Sequence, residues 1–313
     1  MSRDRDYHPE REQTRPSGSG GEMPRGGRSG SKTRPREASP ADVRDVLARQ
    51  LDLPRSDHRV EVSVGDRSYR LRQSEVRALA TIGAFRVVDA ADIQAESPRY
   101  GDLKQLRQAD LIEFTPKVLD GHRTTVITLT REGESLLERH QRTNDGEPRQ
   151  AFYAGLVKPR EVAHDAQLYR EYATAAERLH ASGSRVHRVV LDYELKREYQ
   201  RFLQANNHEQ RRSSGRPDRS PDEVRAWADA HGLSVVDGRV QFPDVRIEYE
   251  HPDGRPDHQD IEVATEHYSG RQMAAKQAAG FQMRGSRAGR IGGASSGGRA
   301  APFDRHAAQE LVR

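Results

Sequence analysis

The chain has 313 residues, of which 33% are hydrophobic and 32% charged, too polar a balance for the whole of it to bury a core. It has no cysteine, which excludes disulfides, thiolate metal sites and cysteine nucleophiles, and no apolar run of membrane-span length. The formal net charge of +4 is carried by the ends: residues 1–37 hold +3 and residues 282–313 hold +4, leaving the middle at about −3. Arginine-bearing ends suit salt-sensitive contact with nucleic acid, or simply keep a chain soluble. The opening MSRDRDYHPEREQ has no hydrophobic stretch, so the expectation is a cytoplasmic protein with no membrane partner.

Residues 14–37, TRPSGSGGEMPRGGRSGSKTRPRE, offer almost nothing to bury. They predict a disordered tail over 1–38. Residues 284–302 have the same character, so 284–313 is expected to be mostly disordered, with a short helix at FDRHAAQELVR. Structure is predicted to begin at SPADVRDVLARQL, 39–51, with Ser39 as cap and Pro40 in the first turn. RVEVSVGDRSYRLR, 59–72, alternates about a Gly-Asp turn and predicts a hairpin. QSEVRALATIGAFRV places Val76, Leu79, Ala80 and Ile82 on one side of a helix. DAADIQAE predicts a short second helix, and SPRYGDLKQLRQADLI a third with Leu103, Leu106 and Leu111 inward. IEFTPKVLDGHRTTVITLT, 112–130, predicts two strands about an Asp-Gly-His-Arg loop, and REGESLLERHQR a closing helix.

Three helices, a two-strand wing and a helix, in that order, predict a winged helix-turn-helix over residues 39–143. Its third helix would enter the major groove of double-stranded DNA, with the wing along the backbone. The candidate contacts are Arg99, Tyr100, Lys104, Gln105 and Arg107 on the helix, and Lys117, His122 and Arg123 on or beside the wing. Against this stand a solvated helix face for Lys104 and Arg107, a packed Tyr100, and a winged helix that binds protein or dimerises.

The rear half, 155–283, predicts a long amphipathic helix over 155–183 carrying His164 and Asp165, and a strand in RVHRVVLDYELK. A helix follows in REYQRFLQANNHEQ, and a capped helix in SPDEVRAWADAHGL. A strand, a turn and a longer strand come next in SVVDGRVQFPDVRIEYE, then a turn-rich HPDGRPDHQ, a strand DIEVATE and a helix SGRQMAAKQAAGF. Period two puts Asp244, Arg246 and Glu248 on one face of their strand, and Asp260, Glu262 and Ala264 on one face of the next. If the strands are neighbours, Asp244 and Glu262 converge. Two carboxylates suit a hard magnesium ion that keeps waters and phosphate oxygens as its other ligands. His164, in AHDAQ, could orient phosphate or water, but it reads first as a packed or capping residue. No histidine pair has zinc spacing, and there is no P-loop, GxGxxG or serine elbow.

This order of elements resembles the PD-(D/E)xK nuclease superfamily. Asp244, preceded by Pro243, matches its first acid and Glu262 its second. Its lysine position holds Ala264, which puts cleavage in doubt, but Lys276 stands on the following helix, a place that serves in some members. Lysine is scarce here, six against 46 arginines. With EVRALATIGAFRV in front, HD leading a long helix, and IEVAT before the helix of Lys276, the chain resembles the replication-relaxation family of plasmid and mobile-element proteins over roughly 72–283. The family's common acidic E-x-D strand is interrupted here by Ala264. The resemblance implies an α+β chain joining a winged helix to a nuclease-like domain, with Asp244, Glu262 and Lys276 as catalytic candidates and Asp244 and Glu262 as magnesium ligands. It also implies a role in replication or mobilisation beside replication or conjugation proteins. The missing strand lysine favours a non-catalytic DNA-binding accessory factor. A magnesium-dependent endonuclease is the alternative, and a transcriptional repressor a further one.

Overall fold

A computed structural model of the chain describes residues 45–96, 101–119, 121–142, 148–156, 161–205, 219–264 and 268–284. These all belong to one compact unit, Ala41–Arg313. The expected tails, apart from Arg284, and the Ser39 cap lie outside the described residues, as do Arg99 and Tyr100. The architecture is mixed α+β. No described helix is long and apolar enough to cross a membrane.

The front half opens with α1 (Asp45–Ala48) and the antiparallel hairpin β1 (Val60–Val64) and β2 (Arg67–Leu71). Gly65 turns the hairpin at φ +58, a conformation that favours glycine. Val62, Val64, Tyr69 and Leu71 alternate inward, as the period-two pattern requires. The helix α2 (Gln73–Phe85) is buried along most of its length. Its buried Glu75 accepts from the backbone N–H of Arg72 at 3.0 Å and from Arg59 at 2.6 Å, so the charge is paired rather than stranded.

Then come β3 (Val88–Asp89), α3 (Ala90–Glu96), α4 (Gly101–Gln108), β4 (Ile112–Leu119), β5 (His122–Leu129) and α5 (Arg131–Arg139). The strands form an antiparallel sheet in the order β3-β5-β4. β3 was not foreseen, because two residues carry no periodicity. The third helix stops short of its expected end: Asp110 takes φ +59 and the Leu111 N–H bonds the Leu106 carbonyl, which closes the helix.

The rear half comprises α6 (Val162–Ala181), β6 (Arg185–Leu191), α7 (Asp192–Ala205), α8 (Pro221–Ala230), the small hairpin β7 (Val235–Val236) and β8 (Arg239–Val240), β9 (Val245–Glu250), β10 (Pro256–Val263), α9 (Gly270–Ala278) and β11 (Gln282–Arg284). Its main sheet has the order β11-β10-β9-β6. β6, β9 and β10 are antiparallel neighbours, whereas β11 pairs parallel to β10 after the crossover through α9.

Three expectations need correction here. The strand expected to reach Lys196 ends at Leu191, and α7 begins at Asp192, whose N–H still continues the β6–β9 ladder to the Asp244 carbonyl. The turn-rich HPDGRPDHQ is half strand, with Pro256 at the first strand position where proline is tolerated. The expected domain end at residue 283 falls inside β11, a three-residue edge strand that exists only through its pairing.

One face of this sheet, with Val189, Leu191, Val245, Ile247, Ile261 and Val263, packs on Leu168, Tyr169 and Tyr172 of α6. Phe85 of α2 meets Tyr169 and Tyr172 at ring distances of 5.3 and 4.9 Å, so the front and rear halves share one core. On the opposite face Arg246 grips Asp260 through two hydrogen bonds of 2.7 and 2.8 Å and donates to the His231 and Gly232 carbonyls. α6 is also tied forward by Arg170, which reaches Asp89 and Asp92 at 3.1 and 2.6 Å.

Candidate functional site

The register of β9 on β10 pairs Val245 with Ile261. One step further along the ladder, Asp244 faces Glu262 at the end of the sheet. Asp244 is fixed there from both neighbouring strands: it follows the buried Pro243, its carbonyl receives the Asp192 N–H at 3.1 Å, and its Oδ2 receives the Val263 N–H at 2.8 Å. Glu262 has 0% of its side chain exposed. It is reached by Lys276 from α9, a helix opened by a Ser269 and Gln272 capping box. The Lys276 Nζ lies 2.8 Å from Glu262 Oε1 and donates to the Phe242 carbonyl. The Tyr268 hydroxyl donates to the same Oε1. Glu262 Oε2 is buried without a hydrogen-bond partner.

Glu262 and Lys276 are thus in contact, with Asp244 facing Glu262 across the ladder. Ala264 is buried, and its N–H pairs with the Arg284 carbonyl at 2.8 Å.

His164, expected as a packed or capping residue, is largely buried and also faces Asp244. It stands in the first turn of α6 with its side chain 23% exposed and its Nε2 3.4 Å from Asp244 Oδ1. Tyr268 was not foreseen at all: nothing in its local sequence marks it, and only the return of α9 carries it to Glu262. Lys196 of α7, paired with Asp192 at 2.5 Å, also lies in the field of both carboxylates.

The charges are mutually adjusted. Burial raises the Glu262 pKa and the Asp244 charge adds to it, while Lys276 and Tyr268 pull it back, with a net rise. Burial opposes the charged form of His164, but the Asp244 hydrogen bond and the charges of Asp244, Asp165 and Glu262 outweigh it and hold its pKa above the ordinary value. Lys196 follows the same logic: burial is outweighed by Asp192, Asp244 and Glu262, and its pKa is raised. Burial and the two carboxylates push the Tyr268 hydroxyl up strongly. Beside them, Asp165 is pushed up to about 6, by burial first, with Arg86 4.0 Å away pulling the other way.

Two facing carboxylates, one with a buried oxygen that lacks a donor, fit a divalent cation: its charge would satisfy Glu262 Oε2 and relieve the repulsion from Asp244. Among the described residues no group of three or more His, Cys, Asp or Glu side chains gathers as a metal site. A cation held by two carboxylates would draw its other ligands from water and phosphate, which is magnesium's habit.

The DNA-contact candidates separate. Lys104, Arg107, His122 and Arg123 are exposed, while Gln105 and Lys117 are half-buried. Arg107 lies 5.5 Å over the Phe114 ring, so α4 covers the Phe114 face of the β4–β5 hairpin. Val118 shares that face by period two and pairs with Arg123, whereas Lys117 pairs with Thr124 on the other face. Arg123 thus sits on the same side as α4, and Lys117 on the opposite side, toward α6. Neither a family model, a curated protein nor a solved structure gives a significant match to this chain.

Proposed function

We propose that the chain binds duplex DNA through α4 and the β4–β5 wing and cuts it with a magnesium-dependent endonuclease site, in the service of plasmid or mobile-element replication or mobilisation. The observation that carries the reading is the Lys276 amine 2.8 Å from Glu262, with Asp244 facing the same carboxylate. The amine absent from the strand is supplied from α9. The helix order α2, α3, α4 with a β3-β5-β4 sheet supports a winged helix-turn-helix. A sheet with an acid on each of two neighbouring strand ends, flanked by α6 and α9, supports a PD-(D/E)xK-like domain.

Asp244 and Glu262 would hold the cation, which when bound polarises a phosphate and lowers the pKa of water. The Lys276 ammonium sets a positive charge where negative charge grows on the phosphate oxygens. The Val263 N–H fixes the Asp244 carboxylate, and Tyr268 fixes that of Glu262. Lys104, Arg107 and Arg123 on one surface would position the backbone of the duplex.

The test is supercoiled plasmid with magnesium. Wild type should nick, and Glu262→Gln should lose nicking while keeping duplex affinity. The reading of a non-catalytic accessory factor is favoured by one observation, that Lys276 and Tyr268 already occupy Oε1 of a fully buried Glu262. Wild type that binds duplex yet never nicks would establish that reading instead.

A further inference from the structure

We infer that His164 is a positioning residue of this site, holding the Asp244 carboxylate from α6, an element outside the strand, strand and helix that carry the two acids and the lysine. The inference rests on the reading of Asp244 and Glu262 as a cation seat.

The two carboxylates are held unequally. Glu262 lies inside β10, and one of its oxygens takes two side-chain donors, Lys276 and Tyr268. Asp244 precedes β9, and its Oδ2 takes one backbone N–H at 2.8 Å. That bond fixes Oδ2 and leaves the second oxygen to be held from elsewhere. Its second oxygen faces His164 Nε2 at 3.4 Å, and among the described residues no other side-chain donor comes within ion-pair distance of Asp244.

The imidazole is itself held. Val162, Asp165 and Ala166 around it on α6 are buried, and Asp165 faces Arg86 of the front half. The first turn of α6, which carries His164, is therefore anchored in the core. Donors behind metal-binding carboxylates orient the ligand, and their loss costs about 10- to 100-fold in metal affinity or activity. His164 need not touch the substrate; it acts through Asp244.

The test uses the full chain and manganese alone as the probe, followed by electron paramagnetic resonance or calorimetry, with melting and duplex binding measured in parallel. Wild type binds the ion weakly, and Glu262→Gln does not. His164→Ala loses at least about tenfold in manganese affinity, whereas His164→Gln, whose side-chain amide can still donate, stays within about threefold of wild type. Both variants keep wild-type duplex affinity. Should His164→Ala not fold, His164→Leu, which fills the volume without a donor, takes its place.

Wild-type manganese affinity in the donor-free variant would overturn the inference alone and make His164 a packing residue. A His164→Gln as weak as His164→Ala would overturn it equally. A wild type that binds no manganese would overturn the cation seat, and this inference with it.

Discussion

Lys276→Met removes the ammonium and keeps an unbranched apolar stem of similar length against Phe281. Glu262 is left fully buried with Tyr268 as its remaining side-chain donor. The carboxylate has two ways out. It can stay ionised without its cation, which costs about 3–5 kcal/mol for a broken buried pair. Or it can take up a proton, which costs about 1.4 kcal/mol for each unit between its ordinary pKa of 4.5 and the ambient pH. At pH 7 the second route caps the penalty at roughly 3.4 kcal/mol, and at pH 5.5 at roughly 1.4 kcal/mol.

The sign follows from the site. Lys276 pulls the Glu262 pKa down against burial and Asp244, so removing it raises that pKa further. A carboxyl raised in the folded state contributes stability that is fully present below 4.5 and lost as pH rises through the folded value. The assay is urea unfolding of wild type and Lys276→Met at both pH values. A loss of about 2–3 kcal/mol at pH 7 corresponds to a drop in melting temperature of roughly 5–10 °C for a chain of this size. A loss below about 1 kcal/mol at pH 7, or a penalty that does not shrink at pH 5.5, would refute the buried ion pair.

Replacing Lys104, Arg107 and Arg123 together with alanine should weaken duplex binding across sequences and lower the salt slope by about one for each phosphate no longer neutralised; unchanged affinity would reject the surface. Lys117→Ala, on the opposite face of the β4–β5 hairpin, should cost much less in the same titration. Asp165→Asn should remove a pH dependence: with its pKa raised to about 6, the wild-type contribution is full below 3.8 and lost by pH 7, a difference of about 3 kcal/mol at most. The variant should therefore match wild type near pH 4 and equal or exceed it at pH 7.5; marked destabilisation at pH 7.5 would show that the Arg86 pair outweighs burial. Removing residues 285–313 should leave the melting temperature unchanged, whereas cutting after Gly280 also removes the buried Phe281 and β11 and should lower it by roughly 10 °C. Equal melting of the two shortened chains would mean that β11 contributes nothing to the sheet.

Features settled within a few residues were legible in the sequence. The β1–β2 hairpin follows from alternation about Gly65, the start of α8 from its Ser220 and Glu223 capping box, and the shared face of Asp244 and Glu262 from period two. Each rests on steric and hydrogen-bonding rules that act between residues two to four apart. Tertiary structure alone decided the rest. β3 and β11 are strands only because β5 and β10 offer them partners. The junction of β6 and α7 at Asp192 is pinned to the neighbouring strand by the Asp192 N–H on the Asp244 carbonyl. His164, Tyr268 and Lys276 meet the two acids because burial of Tyr169 and Tyr172 docks α6 on the sheet and the parallel pairing of β11 brings α9 back across it. A carboxylate's partner in space, unlike its face on a strand, depends on which distant apolar surfaces exclude water together, and no local spacing encodes that.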